Sequence, residues 1–198
     1  MIMDENKADL STLSHGVATG GPPPVGIATT ERQVIFNDIG MRIDREGVWH
    51  YRGSPINRIE LVKLFSTVLR IDEAGGHWLI TPVEVAPVAV EDAPFMAVEM
   101  MATGEGEAQT VSFRTNIDTS VTVDADHPLQ MAPDPETGDM APYVTLDRGL
   151  RAKLNRATYY DVVSIAVEEK AEQAQIIGIW SAGRFFELGA AETANGSA

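Results

Sequence analysis

Leu61, Val62, Phe65, Val68 and Leu69 fall at i, i+1, i+4, i+7 and i+8, a single apolar stripe on a helix of 3.6 residues per turn. Tyr159, Tyr160, Val163, Ala166 and Val167 repeat that spacing. A second helix is therefore expected, although Val162 to Val167 also fits a strand. The rest of the pattern is shorter and reads as strands. Val83 to Val90 contains Pro87, which places it at a sheet edge or a bulge. Phe95 to Met101 and Thr110 to Phe113 flank a hairpin loop at Gly104-Glu105-Gly106-Glu107-Ala108. Ser120 to Val123 alternates, and Arg184 to Leu188 follows a Ser181-Ala182-Gly183 turn as a closing strand. Strands with few helices and no regular alternation imply an α+β fold.

Part of the chain repeats. Tyr51-Arg52-Gly53-Ser54-Pro55-Ile56-Asn57-Arg58 recurs loosely as Asp147-Arg148-Gly149, Leu150 to Leu154, and Asn155-Arg156. Arg-Gly aligns with Arg-Gly and, after two extra residues, Asn-Arg with Asn-Arg. Each copy has a strand before it, Gly47 to Tyr51 or Tyr143 to Leu146. Each has a helix after it, then a turn and a strand, His77 to Thr81 or Ile176 to Trp180. The shared order points to duplication of a strand–helix–strand unit; chance similarity of short words is the alternative. The expected organisation is a flexible lead-in over 1–31, an N-terminal α+β domain over 32–93, a second domain over 94–189 and a frayed end over 190–198. Thr19-Gly20-Gly21-Pro22-Pro23-Pro24 underlies the first of these.

Composition narrows the function. The 198 residues carry 15 Lys and Arg against 29 Asp and Glu, a net charge of −14. A surface so acidic disfavours nucleic acid and anionic membrane as partners. Cysteine is absent, so thiolate catalysis, disulfides and Cys-ligated metals are excluded. No apolar run approaches the ~18 residues of a membrane helix, and Met1 to Leu10, with Asp4, Glu5, Lys7 and Asp9, is no secretory signal. A cytoplasmic location is expected.

Catalytic signatures are sparse. There is no Gly-x-Ser-x-Gly elbow, Walker loop or dinucleotide fingerprint. Asp124-Ala125-Asp126-His127 brings two carboxylates and an imidazole close in sequence. These are metal-ligand types, but a turn accounts for the segment as well, so neither a metal nor a cofactor is expected. His50 and His77, beside Trp49 and Trp78 in strands, read as structural. Glu84, Glu91 and Asp92 could serve acid–base chemistry or be solvated strand ends. The cations, however, cluster. Arg148, Arg151, Lys153 and Arg156 lie within nine residues without an acid, and Arg52, Arg58 and Lys63 surround the first helix entry. With Asn57 and Asn155 as N-caps, and Glu60 completing a capping box with Asn57, Arg58 and Arg156 take the first helical position. A cation there opposes the helix dipole unless an anion joins it. Pairing with Asp147 or Glu60 is the competing account of any single arginine. Tyr159, Tyr160 and Trp180 could stack on a base or simply pack.

The chain resembles the bacterial domain-of-unknown-function family 1285. The likeness is carried by Gly53-Ser54-Pro55-Ile56 with Leu61 to Ser66; Thr81-Pro82-Val83-Glu84 with Val90 to Phe95; Phe113-Arg114-Thr115-Asn116 with Asp118; Asp126-His127-Pro128-Leu129; and Trp180 to Gly183 before Phe185-Phe186. The resemblance implies two related α+β domains from a duplication, the second pleckstrin-homology-like. It also implies a ligand site between them for a nucleotide-like molecule and a signalling role. The polar positions it carries over are Ser54, Lys63, Thr81, Glu84, Arg114, Asn116, Asp118 and His127. The expected protein is thus a non-enzymatic binder of an anionic small ligand. Arg52, Arg58 and Arg114 would hold phosphate or carboxylate, Asn116 and Glu84 would hydrogen-bond sugar or base, and Trp180 would stack. A protein signalling partner would read the bound state. The alternatives are a small hydrolase using His127 with Asp124, Asp126 or Glu84, and a pure protein-interaction module.

Overall fold

The computed structural model describes residues 19–171 and 174–190. It divides into two compact units. One comprises the chain through Pro94 together with Arg148–Leu150; the other comprises Phe95–Asp147 and the chain from Arg151 onward.

The first unit holds β1 (Val34–Ile35), β2 (Met41–Ile43), β3 (Trp49–Tyr51), β4 (Ser54–Pro55), α1 (Ile59–Val68), β5 (Leu69–Ile71), β6 (His77–Ile80) and β7 (Glu84–Val90). The sheet order is β4-β3-β2-β7-β6-β5, with β1 also on β7. The β3–β4 hairpin turns on two residues, Arg52 at φ 49° and Gly53 at φ 82°. Both are left-handed, the pair of conformations whose twist matches a two-residue hairpin. Val62 and Phe65 of α1 are buried, and Phe65 stacks on Trp49 at 6.4 Å and 17°. Leu69, Leu79 and Ala86 form a fully buried row across β5, β6 and β7.

Pro87 is neither at an edge nor in a bulge, which corrects the sequence expectation. It pairs with Trp78 on one side. On the other side β1 covers only Glu84 and Val85, and β2 only Ala89 and Val90. A residue without an N–H is tolerated in the gap between two partial neighbours.

The lead-in is also shorter than expected at its downstream end. Residues 1–18 and 191–198 lie outside the described residues, but from Thr19 the chain is docked. Thr19 bridges Phe36, Gly20 N–H donates to Ile35 O at 2.8 Å, and Val25 N–H donates to the Asp72 carboxylate at 3.0 Å. Prolines prevent this segment from laddering but not from lying on a sheet whose own carboxylate bonds it.

The second unit holds β8 (Phe95–Thr103), β9 (Thr110–Thr115), β10 (Ser120–Thr122), β11 (Leu129–Pro133), β12 (Met140–Thr145), β13 (Arg151–Leu154), α2 (Arg156–Ser164), β14 (Val167–Ala171), β15 (Ala174–Ser181) and β16 (Arg184–Ala190). One sheet runs β10-β9-β8-β13-β12-β11 and another β14-β15-β16. Val167 belongs to a strand, so the helix/strand ambiguity resolves into both, with α2 ending at Ser164.

The order of elements repeats. Three strands, a helix and three strands make up β2–β7, and the same order returns in β11–β16. Arg148 (φ 64°) and Gly149 (φ 73°) reproduce the left-handed pair of Arg52 and Gly53. The copies differ in how they close. In the first, β2 pairs with β7. In the second, β13 pairs with β8 instead, and β11 and β16 each keep a hydrogen-bonded neighbour on one side only.

Candidate anion-binding site

The C-terminal end of α1 exposes carbonyl oxygens with no further helical N–H to meet them. No basic residue lies in its last turn, so cations arrive from elsewhere. Arg70, on β5, donates from Nη1 to Thr67 O at 2.9 Å and to Leu69 O at 2.8 Å. Arg148, 81 residues beyond Thr67 and in the same unit, donates from Nη1 to Thr67 O at 2.6 Å and from Nη2 to Ser66 O at 3.3 Å. Two guanidinium groups thus share one carbonyl.

The arrangement is electrostatically incomplete. Burial, and after it the charge of Arg148, pull the Arg70 guanidinium below its usual value. The helix end offers only about half a negative charge against two positive ones. Among the described residues, neither arginine forms an ion pair with a carboxylate. A guanidinium has five N–H donors, so Arg70 keeps Nε and Nη2, and Arg148 keeps Nε, for another acceptor. Arg148 is exposed and Arg70 half-buried, which leaves that side open to solvent. A phosphate or carboxylate bridging the two forks would turn repulsion into attraction.

The residues expected to bind ligand make other contacts within each unit. In the first unit, Arg52 lies over the Tyr51 ring at 5.2 Å, and Ser54 is exposed beside it. Arg58 and Lys63 line a shallow groove of about 510 Å³ along α1, with Glu60, Leu61, Leu64 and Thr67. Arg58 is the N-cap rather than the first helical residue, and no side chain caps the helix. The reason is local: Ile56 N–H still donates to Trp49 O at 2.7 Å, which keeps the chain extended past Asn57. Thr81 and Glu84 are buried and face each other across a turn, with the Glu84 N–H donating to Thr81 Oγ1 at 2.9 Å. The Thr81 hydroxyl is therefore committed to that turn, and of Glu84 only the main chain takes part in it.

In the second unit Arg114 is engaged by Glu99 at 2.6 Å and Asp118 at 3.1 Å. A fork held by two carboxylates repels a third anion, so the geometry does not favour the anion-holding role expected of Arg114. Asn116 is spent on the backbone of Met96, its Oδ1 accepting at 3.1 Å. Trp180 donates to Glu169 at 3.1 Å and meets Phe185 edge-on at 5.6 Å. Asn155 caps α2 as expected, accepting from Thr158 N–H at 2.8 Å. Arg156, however, turns to the Tyr160 hydroxyl at 2.9 Å instead of an anion.

His127 sits between two carboxylates. Nδ1 is 3.1 Å from Asp124 and Nε2 3.3 Å from Asp147. Asp147 therefore answers His127 and not the neighbouring arginines. With both ring nitrogens engaged, the imidazole has no free position from which to act as a base. Burial works to lower its pKa, but the bonds to Asp147 and Asp124 outweigh it and hold the imidazolium above the ordinary 6.5. A raised folded-state pKa stabilises fully below the unfolded value and ceases to do so as pH rises through the folded one. His127→Gln is thus expected to cost about 1 kcal/mol, or about 3 °C in Tm, near pH 6 and less near pH 8. A Tm gap that does not narrow between those pH values would contradict the assignment.

Arg70 was missed in sequence, although a cation just past a helix stripe is a recognised C-terminal signal. Arg148 was counted in the cationic island, but its helix-end contact joins residues too far apart to be seen. No three His, Asp or Glu side chains among the described residues gather as a cation cage. No described helix is long and apolar enough to cross a membrane.

Comparisons with known proteins agree with this architecture. Residues 23–93 match the domain of unknown function (DUF1285), N-terminal domain, and residues 94–188 match the protein of unknown function (DUF1285), C-terminal domain. The first match begins inside the docked lead-in. No curated protein matches the chain. The crystal structure of a DUF1285 family protein from Silicibacter pomeroyi DSS-3 is similar at 37% identity and a TM-score of 0.76, covering 93% of this chain and 96% of that one. One from Shewanella baltica OS155 is similar at 33% identity and a TM-score of 0.51, covering 63% of this chain and 91% of that one. With both domain profiles matched in order, the chain belongs to the DUF1285 family.

Proposed function

We propose that this protein is a non-enzymatic binder of a small oxyanion-bearing molecule, with Arg70 and Arg148 as the anchor. One observation carries the reading: two solvent-accessible guanidinium groups share Thr67 O without a carboxylate partner, in a chain of net charge −14. In so acidic a protein, two cations held together and left uncompensated imply an acceptor from outside. A phosphate ester, including a nucleotide-like one, fits the forked donors. The resemblance to a pleckstrin-homology-like second domain, a cytoplasmic location and a signalling role stand with this proposal as its biological reading.

Thermal unfolding tests it. Phosphate, AMP and GMP, each at millimolar concentration and compared with chloride at equal ionic strength, are expected to raise Tm. A ligand at 100 times its Kd adds about 2.7 kcal/mol. The Arg70→Gln, Arg148→Gln double variant is expected to lose the ligand-dependent rise while remaining folded. Absence of any rise over chloride, or a rise undiminished in the double variant, overturns the proposal.

A further inference from the structure

Thr67 belongs to two features of the first unit at once. It lines the groove of about 510 Å³ along α1, and its carbonyl oxygen accepts from both Arg70 and Arg148. An anion held by the two forks therefore sits at the C-terminal mouth of that groove. The groove walls say what the rest of the molecule is. Val62 and Phe65 already bury the inner face of α1, yet Leu61 and Leu64 add a second apolar row that stays half-exposed in the groove. Residues three apart share a helix face, so Leu61, Leu64 and Thr67 run in line toward the arginines. Arg58, Lys63 and Glu60 mix their charges in the same lining, and the methylene stems of the first two extend the apolar wall. Among the described residues no aromatic ring lines the groove, so a nucleobase would find nothing there to stack on.

Resting on the reading of Arg70 and Arg148 as an anion anchor, we infer that the α1 groove takes an aliphatic chain and that the ligand is a soluble alkyl phosphate monoester. The forks take the phosphate, and Leu64 and Leu61 take the methylenes out of water. The row from Thr67 back to Leu61 spans about 9 Å along the helix. An extended chain advances about 1.2 Å per bond, so a chain of about seven carbons covers it. The net charge of −14 turns away the anionic bilayer surface that would otherwise present the same headgroup.

Calorimetric titration of the full chain with phosphate and with ethyl, butyl, hexyl and octyl phosphate, below their micelle-forming concentrations, tests the inference. Kd is expected to fall about twofold per added methylene and to level off near seven carbons, because a shallow groove takes roughly half of each methylene from water. AMP is expected to bind no more tightly than ethyl phosphate. The Leu61→Gln, Leu64→Gln double variant is expected to keep the ethyl phosphate affinity while the whole series flattens to within about twofold. Leu64→Gln alone, at a half-buried position of a helix that glutamine suits, is expected to reduce the advantage of hexyl over ethyl phosphate about threefold. A flat series with phosphate still bound overturns the chain assignment and leaves the arginine anchor standing. Absence of any response to phosphate overturns the anchor, and the chain assignment with it. AMP binding as tightly as octyl phosphate also overturns the inference. So does a series unaltered in both leucine variants, or binding to phosphatidic acid vesicles with none to octyl phosphate.

Discussion

Gly178→Ala is expected to destabilise the protein by about 4 kcal/mol, near the upper end for single substitutions. Gly178 is buried on β15 where the register against β16 shifts, next to Ile177. A Cβ there would lie 2.3 Å from Phe186 O and 2.6 Å from the Phe185 ring. The first of these is backbone and cannot move without breaking the β15–β16 ladder. The second is a ring already packed edge-on against Trp180. The cause is steric, because Gly178 is not among the left-handed glycines. Gly183 is the control: it is left-handed at φ 73° with nothing within 4 Å of a Cβ, so alanine there costs about 1 kcal/mol. Urea unfolding of both variants separates the two mechanisms. Equal losses at the two glycines would refute the steric account.

Asp72→Ala is expected to cost about 3 kcal/mol and to release the docked lead-in. The Asp72 carboxylate accepts from Val25 N–H at 3.0 Å, Ala74 N–H at 3.0 Å, Gly76 N–H at 2.7 Å and Trp78 Nε1–H at 2.9 Å. Hydrogen bonds to a charged group contribute about 1.5–3 kcal/mol each but do not add. Burial alone would raise this carboxyl's pKa; the bonds from Val25, Gly76, Trp78 and Ala74 overcome it and hold it below the usual 3.8. A depressed folded-state pKa stabilises above the unfolded value and ceases to do so as pH falls through the folded one. The difference between wild type and variant is therefore expected to be full at neutral pH and to shrink below about pH 4. Trypsin should also cut faster after Arg32 in the variant, since the segment before it loses its anchor. Unaltered cleavage, with a stability gap indifferent to acid, would remove Asp72 from this role.

Much of the fold was legible because it is written in short-range pattern. The stripe of Leu61 to Leu69 specifies α1, and the repeated Arg-Gly specifies the same left-handed pair in both copies. The strand before each helix and a strand after it were legible from spacing, while short strands such as β2, β11 and β13 were not, being too brief to show a period. The Pro87 placement was not legible either, because pattern reports which residues can pair but not where a neighbouring strand stops. The site was harder still. Lone cations look alike in sequence, yet Arg114 is held by two acids, Arg156 by a tyrosine hydroxyl, and Arg148 by a helix end.

Local pattern by itself determined the two-part α+β organisation, the helix positions, the main strands and the strongly acidic character. Side-chain periodicity and turn chemistry act over a few residues, so a linear reading contains them. Tertiary structure alone decided which carboxylates neutralise which cations, which glycine cannot carry a methyl group, and which strand edges stay open. Those outcomes depend on distances between residues dozens of positions apart, and such distances exist only once the chain has folded.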